Sequence, residues 1–141
     1  MKIEVLLVDD EKEFVEILSE RLAARDFGVS KAFSGDEALG RIESGNIDVV
    51  VLDVLMPGKD GVTTLQEIKK AWPLVEVIML TGNATVETAI EGLKSGAYDY
   101  LMKPTETKDL IEKIALAYKR KADQESRIRQ AHIENILLRR I

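Results

Sequence analysis

The chain has 141 residues, 45% of them hydrophobic and 32% charged, with only three prolines, which suits one helix-rich domain and is too short for two ordinary ones. The absence of cysteine and the single His132 exclude disulfides, thiolate metal sites, cysteine nucleophiles and any multi-histidine metal centre. The formal charge of -5 is uneven, with 13 Lys+Arg against 22 Asp+Glu in residues 1–118 and 7 against 3 in residues 119–141. An acidic body argues against direct nucleic-acid binding, and the basic tail reads as a solvated helical face or linker.

Along the chain, MKIEVLLVDD opens with an apolar run of about six residues, far short of a secretory core or a spanning helix of roughly 20. A cytoplasmic location without membrane association is expected. Ile3–Val8 predicts a first strand that ends in Asp9-Asp10-Glu11, and the helix after it carries Phe14, Ile17, Leu18 and Leu22 on one face. Gly28 precedes a second strand, Val29–Phe33; Ser34 is placed to cap the second helix, and Gly45-Asn46 ends it. Val49–Leu52 is a third strand of four apolar residues that runs into Asp53, then Val54, Leu55 and Met56, before Pro57-Gly58 turns the chain. Val62, Leu65, Ile68 and Trp72 mark the third helix, and Val75–Leu80 a fourth strand that ends in Thr81-Gly82. Val86, Ala89, Ile90 and Leu93 share a face of the fourth helix, which Gly96 closes, and the fifth strand, Ala97–Met102, ends in Lys103-Pro104. The last helix is predicted from about Thr107, with Leu110, Ile111, Ile114 and Tyr118 facing inward.

Five such βα units at spacings near 22–26 residues predict an α/β fold with a five-stranded parallel, doubly wound sheet. Parallel strands covered on both faces read as continuous apolar runs, so VVVL is a central strand. No Gly or Pro occurs from Thr105 to Ile141, so the last helix should exceed 30 residues, about 50 Å, and its second half should project beyond the domain. A heptad seam runs through Leu110, Ile114, Ala117, Lys121, Gln124, Ile128, Ala131, Asn135 and Leu138, with polar residues at three positions. A solvated linker helix and a coiled-coil dimer both fit it. Ile133, Ile136, Leu137 and Ile141 form an apolar patch suited to being covered.

In open parallel sheets the ligand crevice lies at the carboxyl ends of the strands. Here those ends supply Asp9 and Asp10, Asp53, Thr81 and Lys103. Singly, each has an ordinary alternative: a helix cap for Asp9, Asp10 or Thr81, a turn for Lys103-Pro104. Together they place three acids, a hydroxyl and a cation on one rim. Clustered carboxylates repel one another and call for a positive partner; oxygen-only ligation suits Mg²⁺, which takes one or two carboxylates and leaves room for phosphoryl oxygens. A carboxylate beside Mg²⁺ can attack phosphorus to give an acyl phosphate, with a lysine and a hydroxyl stabilising the equatorial oxygens. In that chemistry Asp53 is the nucleophile, Asp9 and Asp10 hold the metal, Lys103 is the counter-charge and Thr81 the hydroxyl.

VLLVDDE, VVVLDVLMPGKDG, VIMLTG and GAYDYLMKP, in this order, resemble the receiver domain of bacterial two-component response regulators over about residues 1–120, leaving 121–141 as a helical extension or linker. The resemblance implies a flavodoxin-like (βα)5 fold with strand order 2-1-3-4-5. It implies that Asp53 accepts a phosphoryl group from a sensor histidine kinase, with Mg²⁺ held by Asp10 directly, Asp9 largely through water, Asp53 and the backbone carbonyl of Leu55. It also implies that phosphorylation draws Thr81 inward and lets Tyr100 rotate, changing the face made by the fourth helix, fifth strand and fifth helix to control dimerisation or an effector. By the same resemblance the Lys103–Pro104 peptide is cis, and Leu55 and Asn83 tune the access of water to the acyl phosphate. An apolar Leu55 offers water no hydrogen bond, so slow to moderate self-dephosphorylation is expected. Gly82-Asn83-Ala84 and the long last helix look closest to receivers that precede ATPase-type transcriptional activators. No output motif fits in residues 120–141, which leaves a stand-alone regulator or a piece cut at its linker. A phosphoaspartate phosphatase of the haloacid-dehalogenase type would need a second acid where Leu55 stands, and no nucleotide-binding glycine motif is present. An interaction module that binds metal without phosphoryl turnover is the remaining alternative. Such a switch catalyses only its own phosphorylation and dephosphorylation.

Overall fold

The computed structural model describes residues 2–56, 58, 60–82 and 85–140; Pro57, Asn83, Ala84 and Ile141, which figured in the sequence reading, lie outside the described residues. Five strands, β1 (Glu4–Val8), β2 (Gly28–Ala32), β3 (Val49–Leu52), β4 (Glu76–Thr81) and β5 (Asp99–Met102), alternate with α1 (Lys12–Ala23), α2 (Gly35–Ser44), α3 (Gly61–Ala71), α4 (Val86–Lys94) and α5 (Thr107–Leu138). The strands are all parallel and pair in the order β2-β1-β3-β4-β5. The chain thus winds outward from β1 to β2, returns past β1 to β3, and continues to β5. The reversal sets the carboxyl ends of β1 and β3 side by side, with Val8 opposite Leu52 in register.

Side chains alternate across the sheet and build two cores. Leu6, Val8, Val50, Leu52, Val77 and Met79 pack with Ala38, Ile42, Leu65 and Ile68 of α2 and α3. Val5, Leu7, Val49, Val51, Ile78 and Leu80 pack with Val15, Leu18 and Leu22 of α1 and Leu110, Ile114 and Ala117 of α5. All four residues of β3 are buried, as its uninterrupted apolar run requires. A rigid central strand is therefore what carries Asp53 to the rim.

Local chemistry sets the helix starts. Ser34 Oγ accepts from the Glu37 N–H, Asp60 Oδ1 from the Thr63 N–H, and Thr85 and Thr88 form a reciprocal capping box. Thr85 rather than Thr81 caps α4, and Thr81 is the last residue of β4. Glu11 occupies the cap position of α1 without a side-chain bond, while Asp9 Oδ1 accepts from the Glu11 N–H at 3.0 Å. The Lys103–Pro104 peptide is cis.

Two helical faces differ from the expectation drawn from periodicity. On α1 the buried set is Val15, Leu18 and Leu22, while Ile17 is half-exposed at the edge of a hollow it shares with Thr107 and Leu110 of α5. On α4 the apolar residues Val86, Ile90 and Leu93 are exposed, Val86 to 76%, and Gly92 is its buried residue. A Cβ at Gly92 would stand 2.1 Å from Met79 Cε, so this short helix approaches the sheet through its glycine and turns its apolar stripe outward.

The 32-residue α5 extends about 48 Å, as expected of a helix with no internal breaker. Leu110, Ile114 and Ala117 face the sheet. Where α5 leaves the domain, Arg120 pairs with the buried Glu76, which also accepts from Lys69 Nζ at 3.3 Å, and Lys121 Nζ lies 3.1 Å from Asp48. The first four positions of the heptad seam therefore turn toward the chain's own domain. Helix pairing could begin only beyond Lys121, where Ile128, Ile133, Leu137 and Leu138 are exposed.

Candidate functional site

The rim above the sheet brings together the residues singled out from the sequence. Asp9 and Asp53 are almost fully buried, at 3% and 5% exposed, while Asp10 beside them is exposed. Each offers a carboxylate oxygen that lies within 4.8 Å of the others'. Asp53 is placed by β3: its N–H donates to the Val8 carbonyl at 3.0 Å, continuing the ladder to β1. Its Oδ1 accepts from the Leu55 N–H at 3.2 Å, and its Oδ2 lies 3.8 Å from Lys103 Nζ.

Lys103 reaches the rim from the end of β5. Its N–H donates to the Thr81 carbonyl at 2.9 Å, which ties the ends of β4 and β5 together. The ammonium lies 2.5 Å from Asp9 Oδ2 and 3.2 Å from Glu11 Oε1. Burial alone pushes the Lys103 ammonium down, yet the hydrogen bond to Asp9 and the surrounding carboxylates hold it above its usual value. Asp9 shows the reverse balance. Burial raises its carboxyl, and neither Lys103 nor the Glu11 N–H brings it back to the ordinary value. Asp9, Asp10, Glu11 and Asp53 gather there around the one ammonium of Lys103, which leaves this cluster short of positive charge.

That shortage bears on whether a cation fits. Cis and trans ligands of an octahedral Mg²⁺ at its usual bond lengths stand about 3 and 4 Å apart, and three carboxylate oxygens within 4.8 Å of one another are near enough to converge on one such ion. The donors are all hard oxygens, with no imidazole or thiolate among these residues. The acid cluster fits the ion that the sequence called for.

Thr81 is buried at the end of β4. Tyr100 is half-buried, packed against the core on the α2 and α3 side, with its N–H on Asp99 Oδ1 at 2.7 Å. Leu55 is 49% exposed just past Asp53.

Three contributors carried no site role in the sequence reading. Glu11 is a third carboxylate on Lys103. Phe14, expected only as a core residue, places its ring centroid 4.2 Å from Lys103 Nζ. Gly61 lets the start of α3 pass against the exit of β3: a Cβ there would stand 2.3 Å from the Asp53 carbonyl oxygen and 2.4 Å from Val54 Cα. Gly61 ended the quoted VVVLDVLMPGKDG segment, a glycine just before a helix being the available signal. Nothing local in the sequence marks Phe14, because the contact spans α1 and β5. A larger hollow of about 580 Å³, lined by residues including Glu4, Asp48, Trp72 and Lys121, lies at the opposite pole of the sheet.

Comparison with known proteins agrees with this geometry. The family model described as "Response regulator receiver domain" matches residues 5–115. The transcriptional regulatory protein ZraR of Salmonella typhimurium is 40% identical over 126 residues, which cover 88% of this chain and 29% of the relative. The receiver domain protein of Methanospirillum hungatei, called CheY-like, superposes with a TM-score of 0.84 at 28% identity, covering 88% of this chain and 99% of that one. NtrX from Brucella abortus gives 0.83 at 31% identity, covering 89% of this chain and 29% of its own. The chain spans about 29% of the length of ZraR. By its matched residues, its strand order and its relatives, the chain belongs to the response regulator receiver domain family.

Proposed function

We propose that the protein is a phosphorylation-activated switch in which Asp53 accepts a phosphoryl group from a sensor histidine kinase in a Mg²⁺-dependent reaction. The observation that carries this reading is the convergence of Asp9, Asp10 and Asp53 within 4.8 Å of one another beside Lys103. An oxygen of Asp53 attacks phosphorus, the bond from phosphorus to the donor nitrogen breaks, and an acyl phosphate remains on Asp53. The strand ladder and the Leu55 N–H hold the carboxylate still for that attack. Lys103 turns from Asp9 toward the incoming phosphoryl oxygens, and the Thr81 hydroxyl donates to one of them. Asp9, Asp10, Asp53 and the Leu55 carbonyl would hold Mg²⁺, which when bound neutralises the acid cluster and the phosphoryl oxygens.

In this reading Tyr100 follows Thr81, and the α4-β5-α5 face carries the change to a second copy or an effector. The exposed stripe of α4 supports that assignment, because an apolar face on a short helix favours a partner. Residues 1–120 form the receiver and 121–141 a helical extension with a possible coiled coil. Relatives that are transcriptional regulators support a role in controlling transcription through a segment outside this chain. No described helix is long and apolar enough to cross a membrane, which accords with action in the cytoplasm.

Incubation with acetyl phosphate and Mg²⁺, read by intact mass, tests the proposal. Wild type should gain about 80 Da, one phosphoryl group, and Asp53→Asn none. Mg²⁺ binding without labelling would instead identify a metal-binding interaction module.

A further inference from the structure

Lys103 is the cation of the site, and the carboxylates alone do not fix where it points. Its ammonium lies 2.5 Å from Asp9, 3.2 Å from Glu11 and 3.8 Å from Asp53. Glu11 is mostly exposed, so it draws the lysine toward solvent and away from Asp53. A lysine on a flexible four-carbon stem would divide its time among such partners.

Phe14 is the uncharged contact in this arrangement. Its ring lies 4.2 Å from the ammonium, within the range of a cation–π attraction. The ring is anchored: Phe14 sits in the first turn of α1, packs against the core shared by α1 and α5, and lines with Leu80, Leu110 and Pro104 a small apolar hollow of about 180 Å³. Carboxylates at the rim would be occupied by an incoming cation or phosphoryl group, whereas the ring competes for neither. It can hold the ammonium at the rim through the whole reaction.

We propose that Phe14 is a positioning residue for phosphoryl transfer, acting through Lys103 by holding its ammonium over the ring and beside Asp53. The proposal rests on the reading of Asp53 as phosphoacceptor and Lys103 as counter-charge. Preorganising the cation removes the need to recruit it at the moment of transfer, so the effect falls on the rate of labelling.

The test is the rate of labelling of the full chain by acetyl phosphate and Mg²⁺. Phe14→Leu, which keeps apolar volume and loses the π face, should slow labelling by roughly three- to tenfold, and Phe14→Tyr should restore it. Proton NMR gives an independent signature, since the Lys103 Cε protons should be ring-shifted upfield in wild type and Phe14→Tyr but not in Phe14→Leu. A role through Lys103 further requires that Phe14→Leu add no slowing in a Lys103→Ala background. Wild-type labelling by Phe14→Leu, equal slowing by Phe14→Tyr, or effects that multiply in the double variant would overturn the proposal and leave Asp53 untouched. Labelling of Asp53→Asn at the wild-type rate would overturn the phosphoacceptor reading itself, and the positioning role with it.

Discussion

Gly61 and Leu55 show how closely the backbone around Asp53 is specified. Gly61 donates its N–H to the Val54 carbonyl at 2.9 Å, and a Cβ there would press on main-chain atoms of Asp53 and Val54 that cannot yield as a flexible side chain could. Gly61→Ala should therefore cost about 1–3 kcal/mol in chemical denaturation and slow labelling of Asp53 as the carboxylate shifts. Unchanged stability would mean that the turn has room to adjust. Leu55 governs the reverse reaction in the proposed function. Its side chain is apolar and half-exposed just past Asp53, and in that reading it offers no hydrogen bond to water approaching the acyl phosphate. A phosphoryl half-life of minutes or longer is expected for wild type and a several-fold shorter one for Leu55→Asn; a wild-type half-life of seconds would contradict the assignment.

Among the elements, β5 and α5 are joined by an ion pair that predicts a particular response to pH. Burial raises the Asp99 carboxyl, but the Lys113 ammonium 2.5 Å away and the Tyr100 N–H bring it below its ordinary 3.8. The same bond lifts Lys113 above its ordinary 10.5. A carboxylate lowered in the fold adds stability that is present above 3.8 and is lost as pH falls through the lower folded value; a raised lysine adds stability that is present below 10.5 and fades as pH rises through the higher one. The pair is partly exposed, so the contribution is small. The melting temperature of wild type should exceed that of Asp99→Asn by a steady margin at neutral pH, and the margin should close below pH 3.8. A gap that widens on acidification would rule the pair out as a support. α4 illustrates the opposite case, an element whose periodicity is legible but whose facing partner is not. Its stripe has the same 3.6-residue spacing as a core face, and only the glycine contact with Met79 shows that the stripe turns outward.

At the scale of the molecule, α5 is both part of the core and the route out of it. Glu76, buried at the start of β4, is held by Arg120 and Lys69, and Asp48 is held by Lys121. These pairs fix the direction in which the extension leaves, at the pole opposite Asp53. A buried carboxylate needs such partners, since one left without them would be strongly destabilising. Past Lys121 the helix is largely polar but exposes Ile128, Ile133, Leu137 and Leu138, apolar side chains that pairing with a second copy would cover. Sedimentation should show concentration-dependent dimers of the full chain that disappear when residues 123–141 are removed, and a shifted dimer population on adding beryllofluoride with Mg²⁺. Dimers that persist in the truncated chain would move the interface to the α4-β5-α5 face.

Read alone, the sequence determined the number of strands and their alternation with helices, the burial of β3, the strand-end residues Asp9, Asp10, Asp53, Thr81 and Lys103, and the length of α5, whereas the strand order 2-1-3-4-5 came with the resemblance to the receiver family. The features read from the sequence follow from local periodicity, from breakers or their absence along a run, and from the rule that strand ends meet at one edge, so each is read from one continuous stretch of chain. Only the tertiary structure decided the contacts between distant segments. Phe14 against Lys103, Gly61 against Asp53, the outward turn of α4 and the ion pairs of Glu76 and Asp48 all join segments far apart in the chain. Periodicity states that a face is apolar, and packing alone states what the face meets.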